Sequence, residues 1–203
     1  MDRRSIIVRA ANPTFEEGLA CARYIDEAAE GFMRFMLGRR APQIIAEAYT
    51  QPDNDYSFQN VIFAEQDGRI VGMALGFTVE QRRGYSDRPL KDAAGSPALR
   101  MKAVRILCAP LLRILKTIPD GDFYLMSLAI DKDLRGKGIG STLMDAIDDR
   151  ARARGSTRLS LHVSAKNRGA RKLYERRGMT VESQWPKRLA IPGVRLLRMS
   201  KTL

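Results

Sequence analysis

The stretch "DLRGKGIG", residues Asp133 to Gly140, decides how the rest of the chain is read. It packs three glycines and three charged residues into a short loop. An apolar run, Tyr124-Leu125-Met126-Ser127-Leu128-Ala129-Ile130, precedes it, and "STLMDAIDDRARARG" follows. The pattern predicts a buried strand, a loop and a helix. Glycines make such a loop conformationally costly to order, so the loop has a use. A helix start offers unpaired N–H groups and a partial positive charge, which suit a phosphate that the backbone can approach closely. Arg135 and Lys137 add charge for a polyphosphate. A plain connecting turn explains the glycines equally well at this point.

Two nucleotide signatures do not fit. "GKGIGST" lacks the spacing of G-x-x-x-x-G-K-[ST], and Ser141 stands where G-x-G-x-x-G needs its last glycine. Downstream, Leu143, Ile147 and Ala151 share one helix face with Met144 beside it, while Asp145, Asp148, Asp149 and Arg152 face away. Gly155 is placed to end that helix. "TRLSLHVSA" predicts the next strand, and Asn167 opens a helix over "RGARKLYERR" that Gly178 closes. "TVESQWPK" and "RLLRMSK" predict two last strands around Pro192-Gly193.

The first half reads less sharply. "SIIVRAA" predicts a first strand, and Thr14 caps a helical region that Gly31 divides. "PQIIAEAYT" predicts a short helix. "NVIFAEQ" and "RIVGMALGFTVE" predict strands joined by Asp67-Gly68, a hairpin signal. "QRRGYSDRPLKDAAGSP" predicts a mobile loop. Ala98 to Thr117 carries helical periodicity that Pro110 should kink. The alternation of strand and helix argues an α/β arrangement with a partly parallel sheet.

Two blocks carry a resemblance. Arg135-Gly136-Lys137-Gly138-Ile139-Gly140 matches R/Q-x-x-G-x-G/A, and "NRGARKLYERRG" matches N-x-x-A-x-x-L-Y-E-x-x-G. With their flanking strands they resemble the GNAT superfamily of N-acetyltransferases over roughly residues 122–182. "VIFAEQDGRIVGMALG" resembles the family's second and third strands. The resemblance implies a mixed, mostly antiparallel central sheet of about seven strands, with a splayed central pair and flanking helices. It implies a single domain over residues 1–203, with residues 81–118 as a variable segment on the acceptor side.

The resemblance also implies acetyl-CoA as co-substrate. The backbone of Leu128, Ala129 and Ile130 would pair with its pantetheine arm, and the Leu128 N–H would face the thioester oxygen as charge develops there. The N–H groups of Arg135, Gly136, Lys137, Gly138, Ile139, Gly140 and Ser141 would hold the pyrophosphate. Asn167 would contact the pantetheine arm, and it is also a good helix cap. Ala170 and Tyr174 share a helix face. In the family the matching tyrosine points its hydroxyl at the CoA sulfur. A phenol titrates at about 10 and a thiol at about 8.5, so Tyr174 is protonated at neutral pH and can donate to the departing thiolate.

The base is unassigned. The family often has a carboxylate on the central strand, where this chain reads Met126-Ser127. His162, the one histidine, has a suitable intrinsic pKa, but its apolar neighbours favour a packed or solvated side chain. Glu27, Glu30 and Glu80 are further candidates that read equally as surface charges. Met179 stands where the family often has Phe, another apolar core residue.

The 203 residues are 44% hydrophobic, enough for one substantial core. No run is long and apolar enough for a membrane span, and the N-terminus lacks a signal-peptide core, so we expect a soluble, cytoplasmic protein. Cys21 and Cys108 show no metal-ligand spacing, and no metal is expected. The net charge of +12 raises a polyanionic partner, but the positive residues are spread rather than clustered, and no nucleic-acid motif accompanies them. The resemblance implies a primary-amine acceptor, a small molecule or a peptide amine. The segment at 81–118 would narrow an open groove, which favours a small molecule. Alternatives are a non-catalytic acyl-CoA sensor or scaffold, an acetyltransferase acting on ribosomal or other proteins, and a basic protein associated with nucleic acid. The resemblance also leaves a homodimer open.

Overall fold

The computed structural model describes residues 6–95, 97–107, 109, 118–186 and 195–203. Its centre is a seven-stranded sheet: β1 (Ile7–Ala10), β2 (Val61–Gln66), β3 (Arg69–Thr78), β4 (Asp122–Ile130), β5 (Arg158–Ser164), β6 (Thr180–Trp185) and β7 (Leu196–Thr202). The strand order is β1-β2-β3-β4-β5-β7-β6. Every neighbouring pair is antiparallel except β4–β5, the parallel pair of the strand-helix-strand unit read from the sequence.

Side chains alternate between the two faces along each strand. One face receives Phe63, Met73, Leu75 and Phe77 and is covered by α1 (Phe15–Ala28), α2 (Phe32–Leu37) and α3 (Ala41–Tyr49). The other receives Ala64, Val71, Ala74 and Leu125 and is covered by α7 (Ile139–Ala153) and α8 (Arg168–Arg176). Leu143, Ile147 and Ala151 of α7 are fully buried there, as their spacing predicts. Thr14 caps α1 by accepting the Glu17 N–H, and Gly31, with φ +84°, separates α1 from α2.

The segment expected as a mobile loop is largely helical. Thr78 ends β3 and caps α4 (Val79–Arg83) in a reciprocal capping box with Gln81. Pro89 lies in the first turn of α5 (Arg88–Ala94), whose Leu90 and Ala94 are buried one turn apart. Two apolar residues are too few to announce a helix among so many polar ones, and tertiary burial decides. Then α6 (Pro97–Leu107) runs back over α2. Arg100 donates to the Phe35 carbonyl from Nε and Nη2, at 3.1 and 2.9 Å. Thus α5 packs against α3 and α6 against α2, and the two helices touch each other. The Pro110 kink, the Pro192-Gly193 turn and Ser5 of "SIIVRAA" lie outside the described residues.

Two irregularities in β4 matter for the site. The β3–β4 register steps from Leu75↔Ser127 to Gly76↔Leu125, so Met126 is an extra residue, a β-bulge. Ser127 opposes Leu75, and Met126 packs against the cluster containing Leu75, so both project onto the α1–α2 face. Strict alternation would put Ser127 on the other side. Second, β4 pairs with β5 only from Asp122↔Arg158 to Leu125↔Leu161. Beyond that point the two strands diverge.

Candidate active site

The divergence of β4 from β5 opens a cleft of about 560 Å3. Its walls include residues 125–128 of β4, residues 161–164 of β5, and Ala29, Gly31 and Phe32 at the α1–α2 turn. Asn167, Ala170 and Tyr174 close it from α8. Thus Leu128, Asn167, Ala170 and Tyr174, predicted from separate motifs, meet in one cavity. Ala129, Ile130 and the loop at 135–141 are not part of its lining. They continue from Leu128 along the open edge of β4.

Asn167 performs the capping role. Its Oδ1 accepts the Ala170 N–H at 3.0 Å, while the residue still lines the cleft. Tyr174 is 6% exposed, and burial pushes its phenol up to about 12. It is a proton donor at any physiological pH.

The glycines of the loop divide by task. Gly136 and Gly138 have φ of +77° and +93°, the left-handed region that L side chains avoid, and a Cβ on either would meet nothing within 4 Å. They shape the turn and face open space. Gly140 is different. A Cβ there would lie 3.0 Å from both Ile130 Cδ1 and Leu173 Cδ2, so its absence lets α7 press against β4 and α8. The sequence reading treated all three as room for a ligand. At Gly140 the missing side chain serves packing, while the N–H has no acceptor among the described residues.

The free donors form a narrower run than the sequence suggested. Arg135 N donates to Lys132 O at 3.4 Å, and Ser141 N donates to Gly138 O at 2.9 Å. Among the described residues, the N–H groups of residues 136–140 have no protein acceptor. They stand at the start of the fifteen-residue α7, the positive end of its dipole. The Arg135 guanidinium, about half exposed, is engaged on one side. Glu27 holds it at 2.9 Å and the Ile130 carbonyl at 3.3 Å.

A second cavity of about 470 Å3 adjoins the cleft on the α1–α2 face. The two share Ala28, Ala29, Phe32, Met126 and Ser127 as walls. Its outer side is built from Tyr85, Leu90 and Met101, all in the segment expected to shape the acceptor side. The bulge thus sets Met126 and Ser127 on the partition between cavities. Ser127 is 7% exposed, and its Oγ has no partner among the described residues.

At the fork of β4 and β5 the structure brings together a pair that sequence reasoning missed. The Tyr124 hydroxyl lies 3.0 Å from His162 Nδ1. Tyr124 lines the second cavity and His162 the cleft, so the pair spans both. Burial, and then the nearby Arg198 charge, pull the imidazole down to about 4. It is neutral at pH 7, and its Nε2 is buried without a partner among the described residues. Burial raises the Tyr124 phenol well above its ordinary value. His162 is packed, as expected, but packed into the site. The available signal was positional: Tyr124 and His162 occupy inward positions on strands expected to neighbour each other.

The other base candidates separate. Glu30 lines the cleft at the α1–α2 turn. Glu27 is engaged by Arg135, and Lys132 lies 3.8 Å away. Glu80 accepts the Gly121 N–H at 2.8 Å, which holds its carboxyl below the usual range. Neither Glu27 nor Glu80 lines either cavity. Among the described residues no group of His, Cys, Asp and Glu is placed to hold a metal ion, and no helix is long and apolar enough to cross a membrane.

Comparison with known proteins follows this geometry. The sequence is 40% identical over 60 residues to an uncharacterised N-acetyltransferase, YycN, of Bacillus subtilis, a match covering 30% of this chain and 38% of that protein. It is 41% identical over 66 residues to a mycothiol acetyltransferase of Beutenbergia cavernae, covering 31% of this chain and 22% of that one. These matches therefore span well under half of either relative. A crystal structure of an acetyltransferase superposes with a TM-score of 0.69 at 25% identity, covering 97% of this chain and 98% of the other. The sequence pattern of the acetyltransferase (GNAT) family matches residues 24–179, which include the cleft, the glycine loop and α8. The splayed strands, the loop and the family pattern agree: this chain belongs to the acetyltransferase (GNAT) family.

Proposed function

We propose that the protein transfers an acetyl group from acetyl-CoA to a primary amine by direct attack within a ternary complex. One observation carries the reading: the cleft between β4 and β5 has uncommitted backbone donors at 136–140 beyond one end and Tyr174 in its wall. Acetyl-CoA suits that layout. Its pyrophosphate would take the N–H groups of residues 136–140, at the positive end of α7. Lys137 stands beside them, while Arg135 supports the loop through Glu27. The unpaired edge of β4, including Leu128, Ala129 and Ile130, would hydrogen-bond the pantetheine arm, with Asn167 and Ala170 facing it. The Leu128 N–H would stabilise the thioester oxygen as charge develops.

The chemistry balances without an added reagent. The amine nitrogen attacks the thioester carbon, the C–S bond breaks, and an amide and CoA form. Tyr174 gives a proton to the departing sulfur and regains one from solvent. The amine enters as an ammonium with a pKa of about 10 and must lose a proton first. A mostly apolar chamber disfavours the charged form, which shifts that equilibrium towards the free amine. The Tyr124–His162 pair, joining the two cavities, is the proton path. The nitrogen becomes acidic once it has added to the thioester carbon; its proton then passes to the Tyr124 oxygen as the Tyr124 proton passes to His162 Nδ1, and the imidazolium gives up its Nε2 proton to water in the cleft. Glu30 is the one carboxylate candidate left near the cleft, and it belongs to the turn rather than to β4.

Acetyl-CoA turnover, read as release of CoA thiol, tests the proposal. Wild type should turn over acetyl-CoA faster with an amine than without one, and Tyr174→Phe should bind acetyl-CoA but turn over far more slowly. Tight binding of acetyl-CoA with no turnover across a broad amine panel would instead favour a sensor, a reading that the missing β4 carboxylate supports.

A further inference from the structure

The second cavity specifies the kind of amine, provided the cleft is the acetyl-CoA site. We infer that the acceptor is a primary amine on a compact apolar body carrying no second charge. All but one of the polar side chains around the cavity are already engaged, the Tyr56 hydroxyl with Met33 Sδ at 4.0 Å.

Asn54 donates to the carbonyls of Ala48 and Gln51 at 3.0 and 2.9 Å and accepts from Tyr56 N at 2.9 Å. Tyr85 donates to Asn60 Oδ1 at 2.8 Å. Ser86 Oγ accepts the Arg88 N–H at 3.1 Å. Asp55 takes both Nε and Nη2 of Arg82, whose guanidinium also stacks over Phe77. Asp87 pairs with Lys91 at 3.2 Å. Tyr124 is bonded to His162. Ser127 Oγ alone among these side chains is buried without a partner among the described residues.

The rest of the wall is apolar. Phe32, Met33, Met36, Met101 and Met126 surround the space, and Met33, Met36 and Met101 are each at most 6% exposed. Methionines give a pliable, polarisable lining that moulds to an apolar body of irregular shape. A cavity of about 470 Å3 is within the usual size of a small-molecule site. No charged group in it is uncommitted, so a carboxylate or phosphate on the acceptor would meet no free cation, and a second ammonium would have to displace Arg82 from Asp55 or Lys91 from Asp87.

Ser127 places the amine. The bulge sets its Oγ on the wall shared with the cleft. There it accepts one N–H of the neutral amine, which turns the nitrogen lone pair towards the cleft. Ser127 is in this reading a positioning residue for the acceptor. The helices α5 and α6 close the outer side, which argues for a free small amine over a chain threaded through a groove.

The test is steady-state CoA release by wild type with 2-phenylethylamine, hexylamine, spermidine and an Ala-initiated tetrapeptide, alongside thermal unfolding with and without acetyl-CoA. The expected result is a kcat/KM for the two apolar amines at least about 100-fold above that for spermidine, as burying an unpaired charge demands. The tetrapeptide should be as poor. Ser127→Ala should raise KM for 2-phenylethylamine about tenfold, the scale of one lost hydrogen bond, with the acetyl-CoA-induced rise in unfolding midpoint retained. Preference for spermidine or the tetrapeptide, or indifference among the four, overturns the inference while the donor site stands. So does an acetyl-CoA-induced rise with no amine accelerating thiol release. No rise with acetyl-CoA overturns the donor reading, and this inference with it.

Discussion

The two cavities on either side of the β4 bulge are built from different materials. The β4–β5 cleft and the loop beyond it are largely backbone features: a strand edge left unpaired after Leu125, left-handed glycines, and N–H groups at a helix start. The second cavity is a side-chain feature: methionines, Phe32 and one uncommitted hydroxyl, supplied by α2, α6 and β4. Backbone recognition demands particular residues at fixed spacings, because few residues tolerate positive φ or a close helix approach. Side-chain recognition can be composed in many ways from distant segments. The two regions should therefore fail differently when altered.

The largest effect expected is in the backbone-built cleft. Gly138→Glu places a carboxylate and a strained φ of +93° where a pyrophosphate would bind. Like-charge juxtaposition costs several kcal/mol, so acetyl-CoA binding should weaken at least about 100-fold, measured by calorimetric titration. Tyr174→Phe keeps the backbone and removes only the donor. Its kcat should fall about 100-fold, the lower end of general-acid effects, with acetyl-CoA affinity nearly unchanged. Loss of binding in Tyr174→Phe would mean that the cleft depends on that side chain more than the contrast allows.

Tyr124→Phe breaks the pair that joins the two cavities. It should lower kcat about tenfold, a modest effect for one member of a proton path. Because His162 titrates near 4, its protonation should leave no inflection between pH 5 and 7 in the rate profile of the wild type. A limb near 6.5 would show an ordinary, solvated imidazole and would break the proposed link.

Gly140→Ala sharpens the division among the loop glycines. The added methyl would meet Ile130 and Leu173, so it should destabilise the fold by about 1–3 kcal/mol in urea denaturation, the range for overpacking. A Gly140→Ala protein of normal stability but weak acetyl-CoA binding would return Gly140 to the ligand. The last effect concerns pH. His162 binds its proton less readily when folded than when unfolded, so the unfolded chain holds more protons between about 4 and 6.5. Its contribution to stability is present above about 6.5 and is lost as pH falls towards 4. His162→Gln should flatten that part of the curve of unfolding free energy against pH.

The same contrast explains what could be read from the chain. The β4–loop–α7 unit and the Asn167–Tyr174 helix were legible because glycine, cap and apolar spacing coincide there. The splayed β4–β5 pair came only with the family resemblance, since nothing in "LSLHVSA" says where pairing stops. Ser127 was read merely as a missing carboxylate. The bulge that turns it onto the acceptor face depends on the β3 register, which one strand does not encode. Tyr124 went unnoticed because its partner lies across a strand junction. The helices α4 and α5 were hidden in a polar stretch whose few apolar residues gain meaning only when buried. The Arg135–Glu27 pair was not legible because Glu27 is distant in sequence and adjacent in space.

The central claim is that the cleft between β4 and β5 binds acetyl-CoA through the backbone at residues 136–140. Thermal unfolding of wild type, Tyr174→Phe and Gly138→Glu with and without saturating acetyl-CoA tests it most directly. The account predicts a raised midpoint for wild type and Tyr174→Phe, and none for Gly138→Glu. An equal rise in all three, or no rise in folded wild type, would contradict it.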